Sequence, residues 1–288
     1  MNMAYHLTQA DAIRFQRDGY VLIRKFFSDK EINKLYAIAI GDKVMQQHAT
    51  HVTDQTGKQT KLTLWYTPGD DVYSLLLRSE RMVKGAALLL DSDSPVCHFH
   101  TKLMQKEPGV GGAWEWHQDY GYWYKNQFLF PDQLVSVMVA LTKATKENGC
   151  LQVIKGSHKM GRVNHGFAGE QVGADMEMVK HALSILPHEY IALEPGDALF
   201  FHSNLLHRSE ANTSNTPRWS IISCYNSLSN PAFNDATVSR TQPIITVPDE
   251  ALLYSDVGAA SESGDFLRKE NDPALKNTGW EQQVKTNE

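Results

Sequence analysis

Apolar positions in the first ninety residues recur mostly at helical spacing, whereas from Pro95 to about Tyr225 they recur at every second position. Thr8 followed by Asp11, and Ser28 followed by Glu31, are spaced like capping boxes and predict two helix starts. Between them GYVLIRKFF, β-branched and aromatic, predicts a short strand. Leu35, Ile38 and Ala39 continue the second helix, and the polar stretch HATHVTDQTGKQTK reads as a loop. Leu75, Leu76, Met82, Val83, Ala86 and Leu90 form an apolar stripe on one helical segment from about Asp71 to Leu90, where core packing is the expected role. Beyond Pro95, VCHFHTKLM sets His98, His100, Lys102 and Met104 on one strand face and Cys97, Phe99, Thr101 and Leu103 on the other. LVSVMVAL alternates likewise, with Ser136 and Met138 on the same side. Asn148-Gly149 is read as a hairpin turn, and Glu194-Pro195-Gly196-Asp197 as a turn into the run ALFF. Many short strands with polar turns predict a mainly β sandwich or small barrel with added helices. The chain divides into a helical part over 1–94, a β core over 95–230 and a polar extension over 231–288, expected as one domain.

Composition narrows the function classes. At 288 residues, with 42% hydrophobic and 21% charged positions, the chain is globular rather than disordered or fibrous. Its 28 basic and 33 acidic residues give a net charge of −5, so no basic stripe is expected to bind nucleic acid. No apolar run reaches the roughly eighteen residues of a membrane span, and MNMAYHLTQADAIRF lacks the regions of a signal peptide. The expectation is a cytoplasmic protein without nucleic-acid or membrane partners. Cys97, Cys150 and Cys224 are widely spaced and outside any CxxC pair, which argues for buried thiols rather than disulfides or a thiolate zinc site. Histidine stands out at twelve residues, and imidazole is the commonest protein metal ligand.

The chemistry centres on Trp116-His117-Gln118-Asp119. In a strand, His117 and Asp119 would share a face, presenting an imidazole beside a carboxylate. His207, after ALFFHSNLL, supplies a candidate third ligand at the end of another strand. Two histidines and a carboxylate on a β scaffold form the facial triad that holds Fe(II) with coordination positions left open. Ser209 follows two residues later, and Arg218 opens the apolar strand RWSIISCY. A guanidinium buried there is costly unless it meets an anion, and its fork suits a carboxylate in two-point contact. A dicarboxylate such as 2-oxoglutarate would meet iron at one end and Arg218 with Ser209 at the other.

FQRDGYVLIRKFF, WHQDYGYW, LVSVMVALTKATKENGCLQVIKGSHKMGR and EPGDALFFHSNLLHRSEANTSNTPRWS together resemble the phytanoyl-CoA dioxygenase family of Fe(II)/2-oxoglutarate-dependent oxygenases, over about Leu7 to Asn230. The resemblance implies a double-stranded β-helix (jelly-roll, cupin-like) barrel with N-terminal helices. It also implies His117, Asp119 and His207 as iron ligands, Arg218 and Ser209 at the distal 2-oxoglutarate carboxylate, and O2 as the oxidant. His202 competes with His207 for the third place, but only His207 has the serine and arginine at the family's spacing. The chain is also similar to ectoine hydroxylase, in which a serine at the position of Ser136 contacts the cosubstrate. That enzyme has asparagine where this chain has Met104, and many relatives have tryptophan where it has Met138. The reaction implied is hydroxylation of an unactivated C–H bond of a small organic substrate, with 2-oxoglutarate decarboxylated to succinate. Halogenating relatives lack the carboxylate ligand, so Asp119 points to hydroxylation. His100, Lys102, Tyr120 and Tyr122 are candidate substrate contacts, and Trp65 and Tyr66 could close the pocket from the helical side. Gly156-Ser157-His158 is expected to be a structural turn. The alternative function is a cupin-like metal- or ligand-binding protein without oxygenase activity.

Overall fold

Both expected capping boxes form in the computed structural model, which describes residues 5–168, 170–233 and 238–268. The Thr8 hydroxyl accepts from the Asp11 amide while the Asp11 carboxylate accepts from Thr8, opening α1 (Gln9–Asp18). Gly19, at φ +83°, stops α1 in the left-handed conformation that glycine adopts without penalty. The chain turns directly into β1 (Tyr20–Ile23), and the Ser28/Glu31 box opens α2 (Asp29–Gly41), which is followed by α3 (Lys43–Gln47). The stretch read as a loop is instead a hairpin: β2 (Thr50–Thr53) pairs antiparallel with β3 (Gln59–Trp65). Its polar alternation concealed it, because β2 is a sheet-edge strand without a fully buried residue. The expected single helix over 71–90 is two, α4 (Val72–Arg78) and α5 (Glu80–Leu89), because Ser79 leaves the helical region with ψ near 144°. The apolar stripe nevertheless packs as core, as expected.

The remaining elements are β4 (Val96–Lys106), β5 (Trp114–His117), α6 (Asp119–Trp123), β6 (Leu134–Ala140), β7 (Leu151–Ile154), β8 (His165–Ala168), β9 (Gln171–Ala174), α7 (Met176–Ile185), β10 (His188–Ile191), β11 (Ala198–His202), β12 (His207–Ser209), β13 (Arg218–Ser227) and α8 (Ala251–Tyr254). They build a seven-stranded sheet in the order β1-β11-β6-β13-β4-β3-β2 and a four-stranded sheet in the order β10-β7-β12-β5, with β8-β9 as a separate hairpin. Among the described residues every ladder of these sheets is antiparallel. The fold is the expected jelly roll, with one qualification: among the described residues no ladder joins the two main sheets, so the barrel is not closed by hydrogen bonds. Asn148-Gly149 is a turn but not a hairpin, since β6 and β7 on either side of it lie in different sheets.

Two cores follow from the strand period. One face of the large sheet, with Leu103, Val135, Val137, Val139, Ile221 and Tyr225, packs on the helices through residues such as Phe15, Leu35, Leu76 and Met82. The opposite face, with Met104, Met138, Ala140, Leu199, Phe201, Ile222 and Cys224, meets Leu151 and Val153 of the small sheet. Each Val, Leu, Ile, Phe or Met among them, fully buried, contributes roughly 1.5–3 kcal/mol of apolar transfer energy. The C-terminal part returns over the helices. Arg81, fully enclosed, donates to the carbonyl oxygens of Phe26 and Asp249 and pairs with Glu31, so the capping carboxylate of α2 also anchors the tail.

Candidate metal centre

The register of the small sheet sets the site. His207, the first residue of β12, lies directly opposite His117, the last residue of β5, and their rings stand 4.1 Å apart. Asp119 does not share a strand face with His117. β5 ends at His117, Gln118 is extended, and Asp119 starts α6, so the carboxylate is delivered by a helical turn. Gln118 holds that turn: its side-chain amide donates to the carbonyl oxygens of Gly161 and Asn204, and its Oε1 accepts from Val163. Its backbone N–H donates to Nε2 of His165. The chain is tight here, because a Cβ on Gly121 would fall 2.1 Å from that same Nε2.

His117 Nδ1 lies 2.7 Å from the carbonyl oxygen of Glu115, and His207 Nδ1 lies 2.9 Å from that of Leu205. A carbonyl can only accept, so both Nδ1 atoms carry the proton and both Nε2 lone pairs are free. Each Nε2 is 3.9 Å from Oδ1 of Asp119, and the three ligand atoms lie within 4.8 Å of one another. Burial pushes the His117 imidazole well below its ordinary range, helped by His207, and burial also lowers His207 against the pull of Asp119. Neutral imidazoles facing a carboxylate across such a gap are a ligand set rather than an ion pair. Two nitrogens and one oxygen on neighbouring corners suit a divalent iron.

Beyond the triad lies a second polar group. Arg218 and Lys106 are register partners on β13 and β4, and both are buried. The Arg218 guanidinium has Met138 Sδ, 3.7 Å away, as its only hydrogen-bond partner among the described residues, and burial lowers its pKa to about 10. Lys106 donates to Ser209 Oγ at 2.8 Å and to the Glu210 carbonyl at 2.6 Å; burial and Arg218 hold it well below the usual lysine range. Two buried cationic side chains and a hydroxyl make a site for an anion. Sequence reasoning missed Lys106. Nothing in MQKEPG marks it, and only the pairing with Arg218 reveals it.

The other candidates divide. Ser136 reaches the site, and its hydroxyl donates to Asp119 Oδ2 at 2.6 Å. His100 and Lys102 lie on the inward face of β4, opposite Cys224 and Ile222. His98 does not join them. The ladder slips between Cys224 and Tyr225, so Phe99 is an extra residue that turns His98 to the helical side. There His98 bonds the Tyr66 carbonyl and Thr101. Tyr122 and Tyr120 lie on α6 rather than on a strand. Tyr122 stands edge-on to His117 at 5.6 Å with its hydroxyl fixed to Val172, whereas Tyr120 packs between the sheets with its hydroxyl on the Phe128 carbonyl. His202 bonds Asp132 and is outside the triad. Trp65 packs in the helical core, away from the pocket, while Tyr66 faces His100. Ser157 accepts from the Leu206 amide, the structural turn expected of the Gly-Ser-His element.

A jelly roll that gathers two histidines and one carboxylate beside two buried basic side chains has the make-up of a non-haem iron oxygenase. The profile of the Phytanoyl-CoA dioxygenase (PhyH) family matches residues 15–220. The chain belongs to this family. Among its relatives, an L-proline trans-4-hydroxylase of Streptomyces griseoviridis is 27% identical over 83% of this chain and 96% of its own. An ectoine dioxygenase of Streptomyces avermitilis is 25% identical over 82% and 84%. The structure of EctD from S. alaskensis with 2-oxoglutarate and 5-hydroxyectoine superposes with a TM-score of 0.63 at 21% identity, covering 88% of this chain and 86% of that one. The carbocyclase SnoK of nogalamycin biosynthesis superposes at 0.64 with 18% identity, covering 84% and 93%. The protein is an enzyme, an iron(II)- and 2-oxoglutarate-dependent dioxygenase. No helix among the described residues is long and apolar enough to cross a membrane.

Proposed function

We propose that His117, Asp119 and His207 hold the iron, that Arg218, Lys106 and Ser209 receive the distal carboxylate of 2-oxoglutarate, and that the enzyme hydroxylates a small polar molecule. The convergence of two Nε2 lone pairs and Asp119 Oδ1 on one point carries this reading. Bound there, iron with 2-oxoglutarate supplies the oxygen activation that attacks an unactivated C–H bond. The carbonyls of Glu115 and Leu205 fix the two imidazoles in the ligating tautomer. Ser136 turns Asp119 so that Oδ1 faces the imidazoles. Arg218 and Lys106 orient the cosubstrate, and a carboxylate at their nitrogens restores charge that burial disfavours. Tyr122 and the buried ring of Trp123 shield the site from water.

Relatives named for proline and ectoine support a small nitrogen-containing substrate over an acyl-CoA. The seven-stranded sheet, which joins β1, β2 and β3 of the helical part to the β core, supports a single domain, and three unpaired, buried cysteines support a reducing cytoplasm. The test is a metabolite screen read by succinate release, with each hit confirmed by a mass gain of one oxygen that derives from labelled O2. Succinate without an oxygenated product for every hit would refute hydroxylation.

A further inference from the structure

The large sheet contains no aspartate or glutamate in any of its seven strands, yet its inward face carries Lys102, Lys106 and Arg218. Asp119 brings a carboxylate into the same space, where it faces His117 and His207. On the reading above, 2-oxoglutarate brings two negative charges. One meets Arg218 and Lys106, and the other joins the iron. Lys102 is left over.

Its position is specific. Lys102 is two residues from His100 and two from Met104 on the inward side of β4, and it pairs with Ile222 on one side and Leu64 on the other. It stands on the same inward sheet face as His100 and Cys224. It makes no hydrogen bond or ion pair with any described residue, and it is only partly buried, so solvent and solutes reach it. Beside it, the His100 imidazole is enclosed by Phe99 at 4.5 Å, Trp123 at 5.6 Å and Tyr66 at 6.3 Å between ring centroids, with the Arg240 guanidinium over the Phe99 and Tyr66 rings. His100 likewise has no side-chain hydrogen bond to a described residue. A cation without a counter-ion next to an aromatic box fits a molecule with a negative end and a compact apolar body.

We propose that Lys102 anchors the carboxylate of the primary substrate, that the body of the substrate packs beside Trp123 with His100 as its hydrogen-bond partner, and that the substrate class is therefore small carboxylic acids. The proposal rests on the iron and 2-oxoglutarate reading. It separates acids from their uncharged isosteres, which a neutral pocket would accept equally.

The experiment uses the full-length iron-loaded enzyme with the common L-amino acids and their primary amides as probes, read by succinate release above the substrate-free rate. Affinity for 2-oxoglutarate is measured separately, by anaerobic titration. At least one acid should stimulate tenfold more than its amide. Lys102→Met should raise the KM of that acid at least tenfold while leaving the Kd of 2-oxoglutarate within twofold, and Lys102→Arg should recover part of the loss. That recovery, with unchanged cosubstrate affinity, separates anchoring from a folding defect. Amides matching their acids throughout would overturn the proposal, as would a Lys102→Met effect of equal size on 2-oxoglutarate. Failure of the wild type to bind 2-oxoglutarate would instead overturn the reading beneath it, and the anchor with it.

Discussion

The Ser136 hydroxyl donates to Oδ2 of Asp119 at 2.6 Å, leaving Oδ1 to face the two imidazoles. Ser136→Ala strands Oδ2 in a buried setting and frees the carboxylate to rotate. Loss of such a supporting bond weakens metal affinity by about 10–100-fold. Iron titration of the variant should show that loss with an unchanged circular dichroism spectrum. If Ser136 serves the cosubstrate instead, 2-oxoglutarate affinity will fall at full iron loading.

Arg218 and Lys106 form the proposed anion site, so their removal should act on the cosubstrate. Arg218→Met should raise the KM for 2-oxoglutarate at least about thirtyfold, equivalent to about 2 kcal/mol, the lower range for truncating a buried charged partner. Arg218→Lys should fall between, because an ammonium lacks the fork that grips two oxygens. Lys106→Met should share the direction of the effect and also free Ser209, its partner at 2.8 Å. Steady-state kinetics at saturating iron will measure all three.

Gly121 is fixed by contact rather than by backbone conformation. A Cβ there would meet the His165 ring, which is held by the Gln118 amide and the Val163 carbonyl and so cannot yield freely. Overpacking of this kind costs about 1–3 kcal/mol. Because α6 also carries Asp119, Gly121→Ala should lower both thermal stability and iron affinity. A variant with wild-type values of both would contradict the packing argument.

The same His165 gives a pH dependence with a definite sign. Burial pushes its folded pKa down to about 4, against about 6.5 for an exposed imidazole. Below about pH 6.5 the unfolded chain takes up a proton that the folded chain resists. The stability tied to neutral His165 is therefore complete above pH 6.5 and declines as pH falls toward 4, by on the order of 1 kcal/mol per pH unit. Denaturant unfolding of the apo-protein between pH 4 and 7 should show a shallower slope for His165→Gln than for wild type.

Much of this was legible in the sequence because it depends on local spacing. The capping boxes at Thr8 and Ser28 need only a hydroxyl and a carboxylate three residues apart, and both formed. The triad was also readable, although for a partly mistaken reason: His117 and Asp119 converge because the strand stops and a helical turn begins. What escaped depends on pairing between distant segments. The β2-β3 hairpin is polar at the sheet edge and earns its place through β4. Lys106 matters because β13 sets Arg218 opposite it, and His98 is lost to the pocket through a bulge that alternation cannot register.

Anaerobic addition of 2-oxoglutarate to the Fe(II)-loaded enzyme, followed by visible absorption, tests the central claim most directly, since the cosubstrate chelated to ferrous iron gives a charge-transfer band. The wild type should develop the band and release succinate when oxygen is admitted, while Asp119→Ala and His207→Ala should do neither. Iron bound by the wild type with no band and no succinate would contradict the assignment of His117, Asp119, His207 and Arg218.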